Sequence, residues 1–169
     1  MKILHVLTGG LRVEGIASTQ LMFFQNINMN KFQIDVAAVH NNSPEMIDEY
    51  KKAGCNVIVF PDRMNETVKY FFELTKYLKK SRYDIIHVHG SSALMSLELL
   101  AAKIAGVPVR IAHSRNTKAN NVRADKLLRP IFDHLYTSGI ACGEEAGKWL
   151  FGEKEFTVLH NGKDFSKFC

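Results

Sequence analysis

Three stretches of the chain gather side chains that could do chemistry. "TGGLRVEGIAST" (8–19) carries Gly9, Gly10 and Gly15, "HVHG" (87–90) carries His87 and His89, and "AHSRN" (112–116) carries His113 and Arg115. Glycine serves where a backbone needs positive φ or where a ligand must come close to it. A glycine loop that runs into a helix presents free N–H groups and the positive end of the helix dipole, which suits an anion. Gly10 and Gly15 have the outer spacing of G-x-x-x-x-G-K-[ST], but Ile16 and Ala17 stand where the lysine and the hydroxyl belong. A dinucleotide fingerprint needs G-x-G-x-x-G and an acid closing the second strand. Here the glycines run G-G-x4-G and that strand closes in "VHNN", so NAD is disfavoured. An open anion loop and a tight strand-to-helix turn both fit this spacing.

The histidines divide by context. His5 lies inside an apolar run and is expected to be a satisfied core residue. His87 and His89 share one face of a strand, and His113 ends the next apolar run. Three such histidines are a possible zinc set, which would make the chain a metal-dependent hydrolase through His87, His89 and His113. No carboxylate or thiolate accompanies them at ligand spacing, so no metal is expected. His113, beside a basic loop, is better placed as a polar contact or proton relay.

The elements that must position these groups follow from periodicity. Apolar runs rich in Val and Ile occur at 2–8, 33–40, 56–61, 84–90, 109–114, 138–143 and 156–161, with little alternation, as strands buried on both faces require. Helical patterns lie between them. One covers 15–29. Another, "SPEMIDEYKKAG", opens on Ser43-Pro44 and closes on Gly54. A third, 65–80, places Val68, Phe71, Phe72 and Leu78 at helical spacing, and a fourth, 91–106, aligns Leu94, Leu97, Ala101 and Ile104 before Gly106. Strand-helix alternation predicts a Rossmann-like, doubly wound α/β domain, a mainly parallel sheet with helices on both faces. Ligands of such folds sit at the carboxyl ends of the strands, which is where the three stretches fall.

Composition bounds the rest. A chain of 169 residues, 46% hydrophobic and 23% charged, fits one soluble-type globular domain. No apolar run nears the ~20 residues of a membrane span, and the N-terminal run is too short for a signal peptide. Cys55, Cys142 and Cys169 are odd in number and far apart, which argues for a reducing, cytoplasmic setting. The net charge of +5 is concentrated at 110–129, where Arg110, Arg115, Lys118, Arg123, Lys126 and Arg129 meet a single acid, Asp125. Such a block favours phosphates or an anionic lipid surface. It has no aromatic residue to stack a base, so nucleic acid is not expected.

With those residues in view, the chain resembles the N-terminal half of a GT-B glycosyltransferase, of the retaining family 4 type that builds capsular and surface polysaccharides. "KILHVLTGGLRVEGIAST" is similar to the family's opening strand and glycine turn. "YDIIHVHG" resembles its D-hydrophobic-hydrophobic-H-x-H strand, and "VRIAHSRN" the strand that ends in the active-site histidine. "IACGEEAGKWLFG" and "FTVLHNGKDFSKF" look like its following helix and its NG-x-D-x-x-x-F segment, so the likeness runs over 1–168. Departures are Glu14-Gly15-Ile16 in the glycine turn and "SRN" where an Asp often follows the histidine.

The resemblance implies residues 1–160 as an acceptor-side Rossmann-like domain, with 161–169 starting a linker to a C-terminal domain that holds most of the donor site. Two glutamates seven residues apart, which grip the donor in the family, have no counterpart here, so the chain alone is expected to be inactive. The implied reaction moves a sugar from a nucleotide-diphosphate sugar to a glycan or lipid-linked hydroxyl, with retention and with no metal or other cofactor. Gly10 and Gly15 would face the donor diphosphate. His113 would be the catalytic contact, and His89, Ser91, Arg115, Lys118 and Arg123 would meet the acceptor. The implied location is cytoplasmic, peripheral at the inner face of the membrane. A stand-alone module binding a sugar phosphate or nucleotide, the metal-dependent hydrolase, and a sugar-nucleotide epimerase of the same shape are the competing readings.

Overall fold

The computed structural model describes residues 1–13 and 15–162. Seven strands alternate with six helices: β1 (Lys2–Leu7), α1 (Ile16–Asn26), β2 (Gln33–Ala38), α2 (Pro44–Lys52), β3 (Asn56–Val59), α3 (Thr67–Ser81), β4 (Ile85–Gly90), α4 (Ser96–Ala105), β5 (Val109–Ser114), α5 (Val122–Phe132), β6 (Ser138–Ala141), α6 (Glu144–Phe151) and β7 (Thr157–Val158). The strands form one parallel sheet in the order β3-β2-β1-β4-β5-β6-β7. The chain winds outward from β1 in one direction, then returns to lay β4 on its other side. That reversal opens a crevice at the carboxyl ends of β1 and β4. All seven expected strands form. Of the linker expected over 161–169, only Asn161 and Gly162 are described; the remainder lies outside the described residues.

Strand alternation assigns each face its own core. Leu4, Val6, Ile86, Val88 and Ala112 point to the side covered by Tyr70, Leu74 and Leu78 of α3, Leu99 of α4, Phe132 of α5 and Phe151 of α6. Leu7, Val36 and Ala38 point to the other side, under Ala17 and Phe24 of α1 and Met46 and Tyr50 of α2. On that second face β4 and β5 carry His87, His89 and His113 where aliphatic side chains would be expected. Glycine ends two helices in the left-handed region, Gly54 after α2 (φ 90°) and Gly106 after α4 (φ 80°).

Two helical stripes differ from expectation. In α3, Val68 and Phe72 are exposed, at 71% and 65%, while Tyr70, Leu74 and Leu78 are buried. In α4 the helix begins at Ser96, after a 3-10 turn at Ala93–Met95, and its buried side is Glu98, Leu99, Ala101 and Ala102, with Ile104 half exposed. Glu98 lies inside because Arg63 meets it there, Nε to Oε1 at 2.6 Å and Nη2 to Oε2 at 3.2 Å. Burial works against the Arg63 charge, yet the Glu98 carboxylate and its hydrogen bonds hold the guanidinium pKa above its usual value. A pair of apolar-looking stripes was therefore outvoted by one buried ion pair and by the sheet contact of Tyr70.

Candidate active site

The glycine loop leaves β1 and is tied down at its first half. The Thr8 hydroxyl donates to the His89 carbonyl at 3.0 Å, and the Leu11 N–H donates to Asn42 Oδ1 at 3.1 Å. Gly10 is buried at φ 83°, and a Cβ there would stand 1.6 Å from the His40 carbonyl oxygen. Its N–H donates to the Leu7 carbonyl at 2.9 Å. The expected contact between Gly10 and a diphosphate is thus corrected: this glycine exists for close packing, and its amide is already engaged. Gly15 differs. It caps α1 at φ 69° and ψ −126°, a conformation suited to glycine, and nothing lies within 4 Å of where a Cβ would be. Glu14 lies outside the described residues.

Beneath the loop the parallel register sets four imidazoles side by side. His5 pairs with His87 across β1 and β4, and His89 pairs with His113 across β4 and β5. The rings stack, with His87 and His89 centroids 4.1 Å apart and His87 and His113 5.2 Å apart. His5 Nδ1 meets His89 Nε2 at 3.1 Å, and His87 Nε2 meets His113 Nδ1 at 3.0 Å. Arg115 Nη1 approaches His113 Nε2 at 3.2 Å. A guanidinium only donates, so His113 Nε2 accepts. A neutral His113 then carries its proton on Nδ1 and donates to His87 Nε2, which leaves the His87 proton on Nδ1.

The rings are neutral because charge is costly here. Burial brings the His5 pKa down to about 3, and burial together with the Arg115 charge does the same to His113. Burial and the neighbouring positive groups push His87 and His89 well below the ordinary histidine value. Neutral imidazoles are metal donors, and the ligand nitrogens of His5, His87 and His89 lie within 4.8 Å of one another. This differs from the set read in the sequence: His5 replaces His113, which is engaged with His87 and Arg115. The group contains imidazoles alone.

The expected acceptor residues separate. His89 is fully buried among His5, His87 and His113, so its assignment as an acceptor contact is corrected. Ser91 lies half-buried at the crevice rim, where its carbonyl accepts the Trp149 indole N–H at 3.0 Å. Arg115 joins His113. Lys118 and Arg123 are exposed beyond it, Lys118 before α5 and Arg123 on its first turn. His5 entered the cluster unforeseen, since only the register of β1 against β4 places it there. A cavity of about 200 Å³ opens over the cluster, lined by His5, His87, His113 and Arg115 together with Gln20 and Phe24 of α1. A larger one, about 440 Å³, lies at the opposite, amino end of the sheet between Met29 and Asn56, away from these groups.

Comparison with known proteins agrees with this geometry. The family described as "Glycosyl transferase 4-like" matches residues 19–135. The chain is 30% identical over 181 positions to "Putative glycosyltransferase EpsF" of Bacillus subtilis, covering 99% of this chain and 47% of that protein. It is 26% identical over 185 positions to the Escherichia coli UDP-Gal:alpha-D-GlcNAc-diphosphoundecaprenol alpha-1,3-galactosyltransferase, covering all of this chain and 46% of that one. Among solved structures it superimposes on Anabaena HepE in complex with UDP with a TM-score of 0.72 at 14% identity, over 98% of this chain and 45% of HepE. The chain spans about half the length of each of these proteins.

Proposed function

The chain belongs to the glycosyl transferase 4-like family, and from that premise we propose that it is the acceptor-side half of an enzyme moving a sugar from a nucleotide-diphosphate sugar to a hydroxyl of a glycan or lipid-linked acceptor. The observation that carries the proposal is the pairing of His113 and Arg115 at the carboxyl end of β5, with the open Gly15 turn of α1 on the same side of the sheet. His113 supplies a neutral ring at the reacting centre. Gly15 and the first turn of α1 face the donor diphosphate, where backbone amides and cationic side chains stabilise the leaving group without a metal. Transfer proceeds with retention. The relatives' names favour a transferase over the epimerase or the hydrolase.

The acceptor side faces α5. Val122, Leu127 and Ile131 are 51%, 77% and 51% exposed, and Arg123 and Lys126 share that outer surface. An exposed helix face of apolar and basic residues suits an anionic membrane, at about 1 kcal/mol per basic residue near the surface. Asp125 Oδ1 accepts from the Ala93 N–H at 2.8 Å, which locks α5 beside the crevice rim. A lipid-linked acceptor held at α5 would therefore present its sugar near Ser91. Among the described residues no helix is long and apolar enough to cross a membrane.

Calorimetry of this chain with UDP, GDP and a UDP-sugar is expected to give millimolar or weaker binding and no transfer. Micromolar binding would place a complete donor site in these residues and overturn the half-enzyme reading. In the protein expressed from its full reading frame, His113→Ala should lower sugar transfer by roughly a hundredfold or more. Unchanged transfer would remove His113 from the reaction.

A further inference from the structure

Four arginines of the described residues are buried or half-buried, and three have partners that account for them. The Arg63 fork of Nε and Nη2 grips both oxygens of Glu98. Arg110 donates to the Leu135 and Val107 carbonyls at 2.6 and 2.8 Å. Arg129 meets Asp125 Oδ2 at 2.8 Å and the Trp149 and Leu150 carbonyls. Arg115 is the exception. Its Nη1 reaches His113, but its Nε and Nη2 are buried and meet no group among the described residues. Those two nitrogens form the side-on fork of a guanidinium, the same pair that Arg63 uses on a carboxylate.

The surroundings of that fork supply no acid among the described residues. Arg115 is close enough to Tyr50 for its charge to be felt at the phenol, and the Tyr50 hydroxyl donates to the Ala17 carbonyl in the first turn of α1 at 2.8 Å. That turn contains no acidic residue. Among the described residues, the other titratable groups facing Arg115 are the neutral His87, His89 and His113, together with Tyr50 and Cys142. A buried, unpaired guanidinium beside a helix N-terminus is unfavourable unless an anion completes it.

The geometry points to Arg115 as a phosphoryl-binding residue, its Nε–Nη2 fork taking two oxygens of a phosphate or diphosphate while Nη1 holds His113. This rests on the glycosyltransferase reading only for the source of the phosphoryl group, which is the donor diphosphate or the phosphate of a lipid-linked acceptor. One guanidinium would then fix the distance between the bound anion and the His113 ring. Arg115 is in this sense both a ligand of the phosphoryl group and a positioning residue for His113.

The test titrates inorganic pyrophosphate into the purified chain and follows the imidazole nitrogens by NMR. Binding should shift the His113 signals and raise its depressed pKa, since a negative charge arrives beside it. Arg115→Gln should weaken binding roughly tenfold or more, the loss of a charge-assisted fork. Arg115→Lys should recover only part of it, because an ammonium keeps the charge and loses the fork. Pyrophosphate binding that is absent in the parent chain, or equal in Arg115→Gln, would overturn the assignment. If binding is seen, UDP binding more tightly than geranyl diphosphate assigns the site to the donor, and the reverse order to the acceptor. Transfer assays on the full reading frame judge the glycosyltransferase reading separately: an Arg115-dependent pyrophosphate site in a protein that transfers no sugar keeps this inference and removes that one.

Discussion

Arg63 and Arg115 sit at strand ends on opposite faces of one sheet, and their difference separates structure from function in this molecule. Arg63, at the end of β3, spends its fork on Glu98, a carboxylate with no exposed surface, and also donates to the Leu94 carbonyl at 2.9 Å. The pair closes the loop after β3 onto α4. Arg115, after β5, faces imidazoles that carry no charge, and among the described residues no carboxylate pairs with it. A buried arginine with its acid holds a fold together. One whose fork meets neither an acid nor a carbonyl among the described residues, as at Arg115, is open to a charge from outside.

The largest expected effect tests the structural side of that comparison. Glu98→Gln leaves the Arg63 charge buried without its counter-ion and should cost about 3–5 kcal/mol in urea unfolding. A loss under 1 kcal/mol would mean that Arg63 escapes to solvent and that the pair matters little.

Acid tests the other side next. His5 and His113 are held near a pKa of 3 when folded, against 6.5 when unfolded. Their stabilisation is complete above pH 6.5 and is lost as pH falls from there toward 3. By pH 5.5 each should have cost roughly 1.4 kcal/mol, about 3 kcal/mol for these two, with His87 and His89, also held well below 6.5, adding to the loss. Unfolding midpoints measured at pH 7 and 5.5 check this, and His5→Phe should flatten the dependence by one proton. A midpoint that does not move with pH would show the rings to be solvated.

The comparison predicts a smaller change at Arg115 itself. Arg115→Gln removes a charge that no carboxylate among the described residues compensates, so stability should stay within about 1 kcal/mol of the parent or rise. A loss as large as that of Glu98→Gln would make the two arginines alike and erase the distinction.

Smallest in stability is the α5 surface. Leu127→Glu with Ile131→Glu should change unfolding by no more than about 0.5 kcal/mol, since both side chains are exposed. Sedimentation with vesicles of anionic lipid should nevertheless fall sharply, whereas Arg123→Glu with Lys126→Glu should remove the salt-sensitive part of binding. Vesicle binding that both pairs leave intact would remove α5 as a lipid-facing surface.

Much of this could be read before any coordinates. The Val- and Ile-rich runs located all seven strands, because strands buried on both faces must be apolar throughout. Gly54 and Gly106 marked helix ends through their tolerance of positive φ. The carboxyl-end rule put His113, Arg115, Ser91 and Gly15 in one region. The stripes of α3 and α4 were misjudged because periodicity shows that a helix has an apolar side without showing which side meets the sheet. Gly10 was misjudged because a glycine needed for the His40 carbonyl and one needed for a ligand look the same in sequence.

What the sequence determined by itself is thus local or periodic: the order of strands and helices, the glycine turns, and the strand ends where basic and imidazole side chains collect. Register and pairing were decided only in three dimensions. Whether His5 lies beside His87, whether His89 faces a ligand or three other rings, and whether a buried arginine has a carboxylate all depend on which distant segments meet. The hydrogen bonds concerned join residues 26 to 84 positions apart. No period in the chain encodes them, because packing and burial fix them once the sheet has formed.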